Sequence, residues 1–292
     1  MNEFDCDVVI VGGGVSGAVI AKALSGKGLR IQILEAGSSE ASTLTGHRRQ
    51  LKRFKLAIPK IPNAPYIGKT SASQPLVTDV KKIGNQPSEV GHFRQHGPLP
   101  HRSSYTRSYG GTTLHWLGTC QRMLPSDFLL QSEYGVAKNW PLPYKDLERH
   151  YRSAEAEMGV AADVDDQRYH GIQFDEGYVY PMQGIPPSYL DQYLHRRLGH
   201  NSFRLSGRDY QLNVVPTPQA RNSTPNTDYK PVGAVGLEET GQRCMGNSSC
   251  IPICPIQAKY TASKTLSQLG TDVEIKEDVI VTKLVANDSG QV

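Results

Sequence analysis

The chain opens with the hydrophobic pattern of a strand, a helix and a second strand. An unbroken β-branched run from Val8 to Val11 is typical of a strand buried on both faces of a parallel sheet. A helix-forming stretch follows at Ala18 to Leu24, and the apolar run from Ile31 to Leu34 predicts the next strand. The pattern therefore predicts an α/β fold in the first part of the chain.

Apolar residues recur at helical spacing in two later segments. In the basic stretch from His47 to Lys60, the spacing predicts an amphipathic helix with a solvated basic face, which we favour over a nucleic-acid patch. The apolar residues there are Leu51, Phe54 and Ile58. Between Tyr180 and Leu198 a second stripe predicts a helix with one buried face, formed by Tyr189, Leu190, Tyr193 and Leu194. The stretch from Lys60 to Arg107 lacks clear periodicity and indicates a long irregular excursion.

Composition excludes several classes of protein. The 292 residues leave room for roughly two domains of about 150 residues each. With 38% hydrophobic and 21% charged residues and a mean hydropathy of -0.44, the chain is typical of a water-soluble globular protein. No apolar run approaches the roughly 18 residues of a membrane helix, and the acidic start, without Lys or Arg before Val8, does not resemble a signal peptide. A net charge of +4 gives no support for a nucleic-acid partner, and the cellular compartment stays undetermined.

A glycine motif follows the first predicted strand. Gly12, Gly14 and Gly17 fit GxGxxG, and Glu35 ends the second predicted strand. In such a motif the first glycine permits a tight turn, the second lets the backbone approach a pyrophosphate, and the third lets the helix pack closely on the strand. The acidic residue can accept hydrogen bonds from an adenosine ribose, which disfavours NADP. NAD and FAD both remain open on this segment alone.

Three of the five cysteines are concentrated in eleven residues. Cys244, Cys250 and Cys254 form C-x5-C-x3-C before Pro255, which indicates a metal or redox cluster rather than a disulfide framework. Thiolates at short spacing suit iron or zinc. Structural zinc requires four donors, whereas a cluster of three irons needs three thiolates. An iron-sulfur cluster is therefore favoured, with buried structural cysteines and zinc as the alternatives.

Two further segments carry a family resemblance. The segment from Ser108 to Phe128 reads SYGGTTLHWLGTCQRMLPSDF, and that from Asn139 to Val160 reads NWPLPYKDLERHYRSAEAEMGV. Together with the glycine motif they resemble the glucose-methanol-choline family of FAD-dependent oxidoreductases. The resemblance implies FAD rather than NAD. It also implies a Rossmann-like FAD-binding domain with a partial α+β substrate domain, divided as 1–130, 131–240 and a return to the FAD domain at 241–292.

The resemblance implies further cofactor contacts. Gly111 and Thr112 belong to the family's flavin-side loop, where Thr112 and Thr113 offer hydroxyl groups to flavin or pyrophosphate oxygens. His115 is a covalent flavin attachment point, a flavin contact without a bond, or a packed histidine, and the sequence leaves these three open. The region from Val273 to Val285, with a strand expected at Val279 to Val285 and a turn at Asn287 to Gly290, places a backbone contact to adenine at Val281.

The resemblance also implies an activity. Its closest motifs are those of iron-sulfur sugar and polyol dehydrogenase flavin subunits, which carry a 3Fe-4S cluster at cysteines such as these. Hydride from a sugar, polyol or related alcohol would pass to flavin N5, and electrons would then pass to the cluster and to a cytochrome or quinone acceptor. The partners implied are a small subunit and a cytochrome c subunit.

The same resemblance leaves the catalytic base unassigned. The family's catalytic histidine belongs to a C-terminal half that we expect to be absent here, so no catalytic residue is assigned and the chain is expected to be inactive alone. The alternatives are an oxidase that returns electrons to oxygen and a non-catalytic flavin-binding fragment.

Overall fold

The computed structural model describes residues 6–56, 108–199, 201–226, 229, 241–246, 250 and 253–286. These residues form two compact units. The first unit holds the described parts of 1–117, 248–255 and 261–292, and the second holds those of 118–247 and 256–260. The domain boundaries expected at 130 and 240 stay predictions.

The first unit is built on a parallel three-stranded sheet. Strand β1 spans Val8–Val11, β2 spans Ile31–Leu34 and β5 spans Val273–Lys276, in the spatial order β1-β2-β5. Helix α1, Val15–Leu24, connects β1 to β2; it begins three residues before the predicted stretch and ends at the predicted residue. The α/β fold expected from the opening pattern is therefore confirmed, and its strands β1 and β2 begin and end at the predicted residues.

One face of this sheet carries the core of the first unit. The strand residues Ile10, Ile31 and Ile33 are buried there, together with Ala18 and Ala21 of α1. Helix α7, Ala262–Leu266, adds Ala262 and Leu266 to the same cluster. Small residues on α1 let the helix approach the sheet closely, which explains why a short sheet can bury its branched side chains.

The opposite face of β1 differs from the prediction. Val9 is 49% exposed and Val11 is 56% exposed, so the strand is not buried on both faces. Within the described residues β1 pairs only with β2, and its alternating side chains point to opposite faces. A β-branched run reports strand propensity, whereas burial of the second face depends on what packs against it.

Two other expectations in the first unit are tested in part. Helix α2, Leu44–Leu56, begins three residues before the predicted basic helix, and the Thr43 hydroxyl accepts a hydrogen bond from the Gly46 N–H at its start. The Phe54 side chain and Ile58 lie outside the description, as does nearly all of the stretch from Lys60 to Arg107. The strand expected at Val279 to Val285 is wrong: the strand is β5, and 279–286 is irregular. The turn expected from Asn287 lies outside the described residues.

The described part of the second unit contains four α-helices and a β-hairpin. Its helices are α3, Leu130–Tyr134; α4, Tyr144–Met158; α5, Val164–Tyr169; and α6, Tyr189–Leu198. Strands β3, Ser202–Leu205, and β4, Arg208–Gln211, form an antiparallel hairpin. Within the described residues, no helix of either unit is long and apolar enough to cross a membrane.

A buried ion pair stabilises the second unit. The Arg122 guanidinium donates two hydrogen bonds of 2.7 Å to the Glu155 carboxylate, and both side chains are buried. It also lies 4.6 Å from the ring centroid of Phe174 and 5.0 Å from that of Tyr178. Burial opposes the charge, but the bonds to Glu155 and Tyr144 outweigh it and hold the pKa of Arg122 above its ordinary value.

Helix α6 forms where the sequence predicts a helix, but the buried face is wrong. None of its ten described residues is buried, and Tyr189 and Leu190 are 78% and 62% exposed. The Arg197 guanidinium lies over the Tyr193 ring, at 5.4 Å from its centroid. The apolar stripe of this helix therefore faces solvent in the described structure.

Candidate dinucleotide-binding site

The glycine motif forms the turn between β1 and α1. Gly12 has a φ of +92°, a left-handed conformation that favours glycine, and its N–H donates to the Leu34 carbonyl at 2.9 Å. Gly14 is the N-cap residue of α1 with a φ of -70°. Because the first N–H groups of a helix lack intrahelical partners, the start of the ten-residue α1 presents donors and a positive dipole end to an anion.

Gly14 and Gly17 have different surroundings. A β-carbon added at Gly17 would lie 2.1 Å from the Gly12 carbonyl oxygen and 3.1 Å from Ile10 Cγ2. One added at Gly14 would meet no atom within 4 Å. Gly17 is therefore required for packing within the protein, whereas the open side of Gly14 leaves space for a ligand. Gly17 therefore packs as predicted, whereas the approach of a pyrophosphate to Gly14 stays a prediction.

Glu35 has a structural role that the sequence reading missed. Its buried carboxylate accepts hydrogen bonds from the Gly13 N–H at 2.5 Å and the Gly37 N–H at 2.7 Å. It therefore ties the end of β2 to the glycine turn. A carboxylate has about four lone-pair sites, so these two bonds leave acceptor capacity, and the ribose contact of Glu35 stays a prediction. The glycines near Glu35 in sequence and in the motif are the signal from which this role of its carboxylate could have been inferred.

A second glycine loop lies against the first. Gly110 and Gly111 have φ values of +92° and +60°, and they begin a 3-10 turn at Gly111–Leu114. A β-carbon added at Gly111 would lie 3.4 Å from the Gly14 Cα. The fold thus brings together two glycine segments that are almost one hundred residues apart in sequence. Gly37 supports this approach, since its added β-carbon would lie 2.4 Å from the Ser108 Cα.

The two threonines of this loop have different roles. The buried Thr113 hydroxyl donates to the Gly110 carbonyl at 2.5 Å and accepts from the Ala262 N–H at 3.0 Å. It fixes the loop on the start of α7, and because a hydroxyl has two acceptor lone pairs, its contact with a cofactor stays a prediction. Thr112 is exposed, and its cofactor contact stays a prediction.

Two aromatic side chains are buried beside the loop. His115 is 3% exposed and ends the 3-10 turn, with its N–H donating to the Thr112 carbonyl at 3.2 Å. Burial, together with the charges of Glu277 and Glu35, raises the pKa of Tyr109 to about 12, so this phenol is neutral at physiological pH. The three alternatives for His115 remain open because its burial is compatible with each.

Val281 lies on the irregular segment after β5. The Val279 N–H, two residues earlier, donates to the Glu35 carbonyl at 2.9 Å. Val281 is half-buried. The segment therefore passes the carboxyl end of β2, although no strand forms there, and the adenine contact of Val281 stays a prediction.

The three clustered cysteines are divided between the two units. Cys250 and Cys254 belong to the first unit and are buried, while Cys244 belongs to the second, where its N–H donates to the Asn222 carbonyl at 2.8 Å. Across the described part of the chain, no group of three or more His, Cys, Asp and Glu side chains is placed to hold a metal ion. The three-iron cluster therefore stays a prediction of the cysteine spacing.

The glycine loops, in contrast, fit a dinucleotide. A positive helix end, an open side at Gly14 and a facing glycine loop supply unhindered backbone beside space for a pyrophosphate. The site lies at the carboxyl ends of the parallel strands, where ligands bind in open α/β sheets. The first unit therefore has the geometry of a dinucleotide-binding domain.

Comparison with known proteins supports that class. A family model described as an NAD(P)-binding Rossmann-like domain matches residues 10–55, the segment from β1 to α2. The first unit is a Rossmann-like domain of an α/β protein. Among curated proteins the chain is similar to the fructose dehydrogenase large subunit of Gluconobacter japonicus, at 28% identity over 297 residues.

The relative is longer than this chain. The similarity covers 98% of the chain and 46% of the relative, so the chain spans about half the length of the curated protein that it matches. A solved structure of formate oxidase aligns with 97% of the chain and 40% of its own, at 14% identity and a TM-score of 0.39. At that score the likeness carries no argument about function.

Proposed function

We propose that this chain is the FAD-binding portion of an oxidoreductase that acts on the CH–OH group of a sugar, polyol or related alcohol. The observation that carries the proposal is the contact of the two glycine loops at Gly14 and Gly111. A single glycine turn suits any dinucleotide, whereas the second loop is the segment that resembles a flavin-side loop. Similarity to a fructose dehydrogenase large subunit along almost the whole chain supports the same class of reaction.

The residues at the site have separate roles in this proposal. Gly12 makes the turn, and the N–H groups at the start of α1 bind the pyrophosphate beside Gly14. Glu35 fixes the turn and accepts from the ribose, while Val281 contacts the adenine through its backbone. Bound FAD supplies a two-electron acceptor for hydride.

The second loop would hold the flavin end of the cofactor. Gly111 lets the backbone lie against the ring system, and Thr112 donates or accepts through its exposed hydroxyl. His115 contacts the flavin, with or without a covalent bond. Thr113 maintains the loop conformation through Gly110 and Ala262.

The proposal also includes partner subunits and an electron acceptor. The similar protein is described as a large subunit, which supports a partner subunit for this chain as well. A small subunit and a cytochrome c subunit are the partners that we propose, with a cytochrome or quinone as the acceptor. The 3Fe-4S cluster expected from the cysteine spacing stays a prediction, and we derive no electron step through it.

Anaerobic reduction tests the proposed reaction. Protein purified with its partner chains should show flavin absorption that bleaches when D-fructose or sorbitol is added. Failure of a broad set of sugars and polyols to bleach a bound flavin would overturn the substrate class. Peroxide formation that depends on oxygen would replace the dehydrogenase with the oxidase alternative.

Acid precipitation tests whether His115 is covalently bonded to the flavin. Yellow colour in the pellet indicates a covalent flavin, and His115→Ala should then release the colour to the supernatant. Colour that stays in the pellet of that variant would place the attachment at another residue.

A further inference from the structure

Strand β1 has an open edge and an exposed apolar face. Within the described residues β1 pairs with β2 alone, so its other edge has no strand partner there. The Val9 and Val11 side chains are 49% and 56% exposed, although Ile10 between them is buried in the core. Native proteins protect open edges with charged residues, proline or a covering element, among other devices. The sequence of β1, VVIV, has neither charge nor proline, which favours a covering element.

The backbone of β1 directs two residues toward this edge. The Gly12 N–H, directly after β1, donates to the Leu34 carbonyl of β2 at 2.9 Å. Because successive residues of a strand direct their N–H groups to opposite edges, the N–H groups of Val9 and Val11 point away from β2. The same two residues thus present backbone donors at the open edge and apolar side chains on the exposed face.

The order of the strands indicates what belongs at this edge. The classic doubly wound sheet has the order 3-2-1-4-5-6, with the first strand in the middle and the ligand crevice where the order reverses. The described order β1-β2-β5 corresponds to the 1-2-3 half of that sheet. The open edge of β1 is therefore the position of the first strand of a second half, beside the glycine turn at Gly12.

The handedness of crossover connections accounts for the exposed face. Helix α1 connects β1 to β2 and packs on the face where Ile10 is buried. Crossovers between parallel strands are almost always right-handed, so a connection that runs across the sheet in the opposite direction places its helix on the opposite face. Val9 and Val11 lie on that face. A single strand-and-helix unit would therefore cover both the open edge and the exposed side chains.

We infer that β1 is the docking surface for a complementary polypeptide, which adds a parallel strand at the open edge and packs apolar side chains on Val9 and Val11. The occupant is a segment equivalent to the part of the fructose dehydrogenase large subunit that this chain does not match, since the similarity covers 46% of that protein. The inference rests on the Rossmann-like fold and needs no bound flavin.

Amide hydrogen exchange in the presence of a defined probe tests the inference. The probe is the part of the Gluconobacter japonicus large subunit outside the similarity, co-expressed with the full chain, and the two should elute together in size-exclusion chromatography. In the chain alone, the Val9 and Val11 amides should exchange rapidly. In the complex they should exchange at least about tenfold more slowly, because hydrogen-bonded amides exchange only on opening. The Gly12 amide, bonded to β2, is the reference and should be slow in both samples.

Val9→Lys tests the apolar face, and Ile20→Lys is its matched control. Val9→Lys puts a charge where we propose apolar contact, so the dissociation constant of the complex should rise by about tenfold or more. Ile20 is 50% exposed, much as Val9 is, but it lies on α1, which packs on the other face of the sheet. Its substitution should change the dissociation constant by no more than about twofold. Circular dichroism of both isolated variants should match that of the unaltered chain.

The inference is overturned if the probe does not associate with the chain, if association leaves exchange at Val9 and Val11 unchanged, or if Val9→Lys and Ile20→Lys weaken the complex equally. Slow exchange at Val9 and Val11 in the isolated monomer would overturn it by showing that another segment of this chain covers β1. Slow exchange that depends on concentration would overturn it by assigning the edge to a second copy. A chain that binds the probe but no FAD would contradict only the proposed function, and the reverse result would contradict only this docking surface.

Discussion

Gly14 and Gly17, at the start of α1, allow an effect on protein stability to be distinguished from an effect on ligand binding. Replacing Gly17 with alanine places a β-carbon 2.1 Å from the Gly12 carbonyl oxygen, whereas the same change at Gly14 places it in open space. We therefore expect Gly17→Ala to reduce stability and Gly14→Ala to reduce FAD affinity. The two variants add the same methyl group only three residues apart.

The structure sets the size of each effect. A contact of 2.1 Å must lengthen by about 1 Å to become acceptable, and the atom that must move is backbone, so Gly17→Ala should cost about 1–3 kcal/mol or more of unfolding free energy. Gly14 has a φ of -70°, which alanine adopts readily. As an N-cap change, Gly14→Ala should cost at most about 1 kcal/mol.

Urea unfolding followed by circular dichroism measures the first effect, and titration with FAD measures the second. Gly14→Ala should raise the dissociation constant for FAD by about tenfold, equivalent to about 1.4 kcal/mol, and Gly14→Val should raise it further. If Gly14→Ala binds FAD as the unaltered protein does, the pyrophosphate does not approach Gly14. A stable Gly17→Ala protein would contradict the packing argument.

Three further predictions concern stability and metal content. Arg122→Ala should destabilise the second unit by about 3–5 kcal/mol in urea unfolding because it leaves the Glu155 carboxylate buried without its partner. Hydrogen bonds from the Gly26 N–H and the Ser25 hydroxyl lower the pKa of Asp272, so this group stabilises the fold above the ordinary aspartate pKa and loses that contribution as the pH falls through the folded value. Asp272→Asn should therefore flatten the acid limb of a plot of stability against pH. From the cysteine spacing we expect anaerobically prepared protein to contain about three irons per chain, and Cys250→Ser should remove the low-temperature EPR signal.

Each of these predictions has a contradicting result. Arg152→Ala, at an exposed pair with Asp175, is the control for the buried ion pair and should cost no more than about 1 kcal/mol. Equal losses at Arg122 and Arg152 would show that burial of the pair is unimportant. An unchanged acid limb in Asp272→Asn would contradict the pH prediction. Protein that contains no iron after expression with adequate iron would contradict the cluster prediction.

Local sequence patterns were sufficient for the first strand, helix and strand of the Rossmann-like domain. The β-branched run, the glycine spacing and Glu35 each act within about thirty residues, so their structure depends little on distant chain segments. The contact between Gly14 and Gly111 could be anticipated only through the family resemblance, since it joins loops that are far apart in sequence.

The errors arose where burial depends on tertiary packing. The stripe of Tyr189 and Leu190 has the spacing of a buried helix face, yet both side chains are exposed and no residue of α6 is buried. The segment from Val279 to Val285 has the composition of a strand, but the strand that pairs with β2 is β5, which ends earlier, at Lys276. Neither outcome can be read from periodicity, which reports which residues share a face and not what that face contacts.

The most direct test of the central claim is a parallel equilibrium titration of the purified flavin-free protein with FAD and with NAD. The account predicts saturable binding of FAD at one site per chain, with NAD binding much more weakly, because we propose that the second glycine loop holds a flavin. Preferential binding of NAD would leave the Rossmann-like fold intact but contradict the assignment of this chain to flavin chemistry.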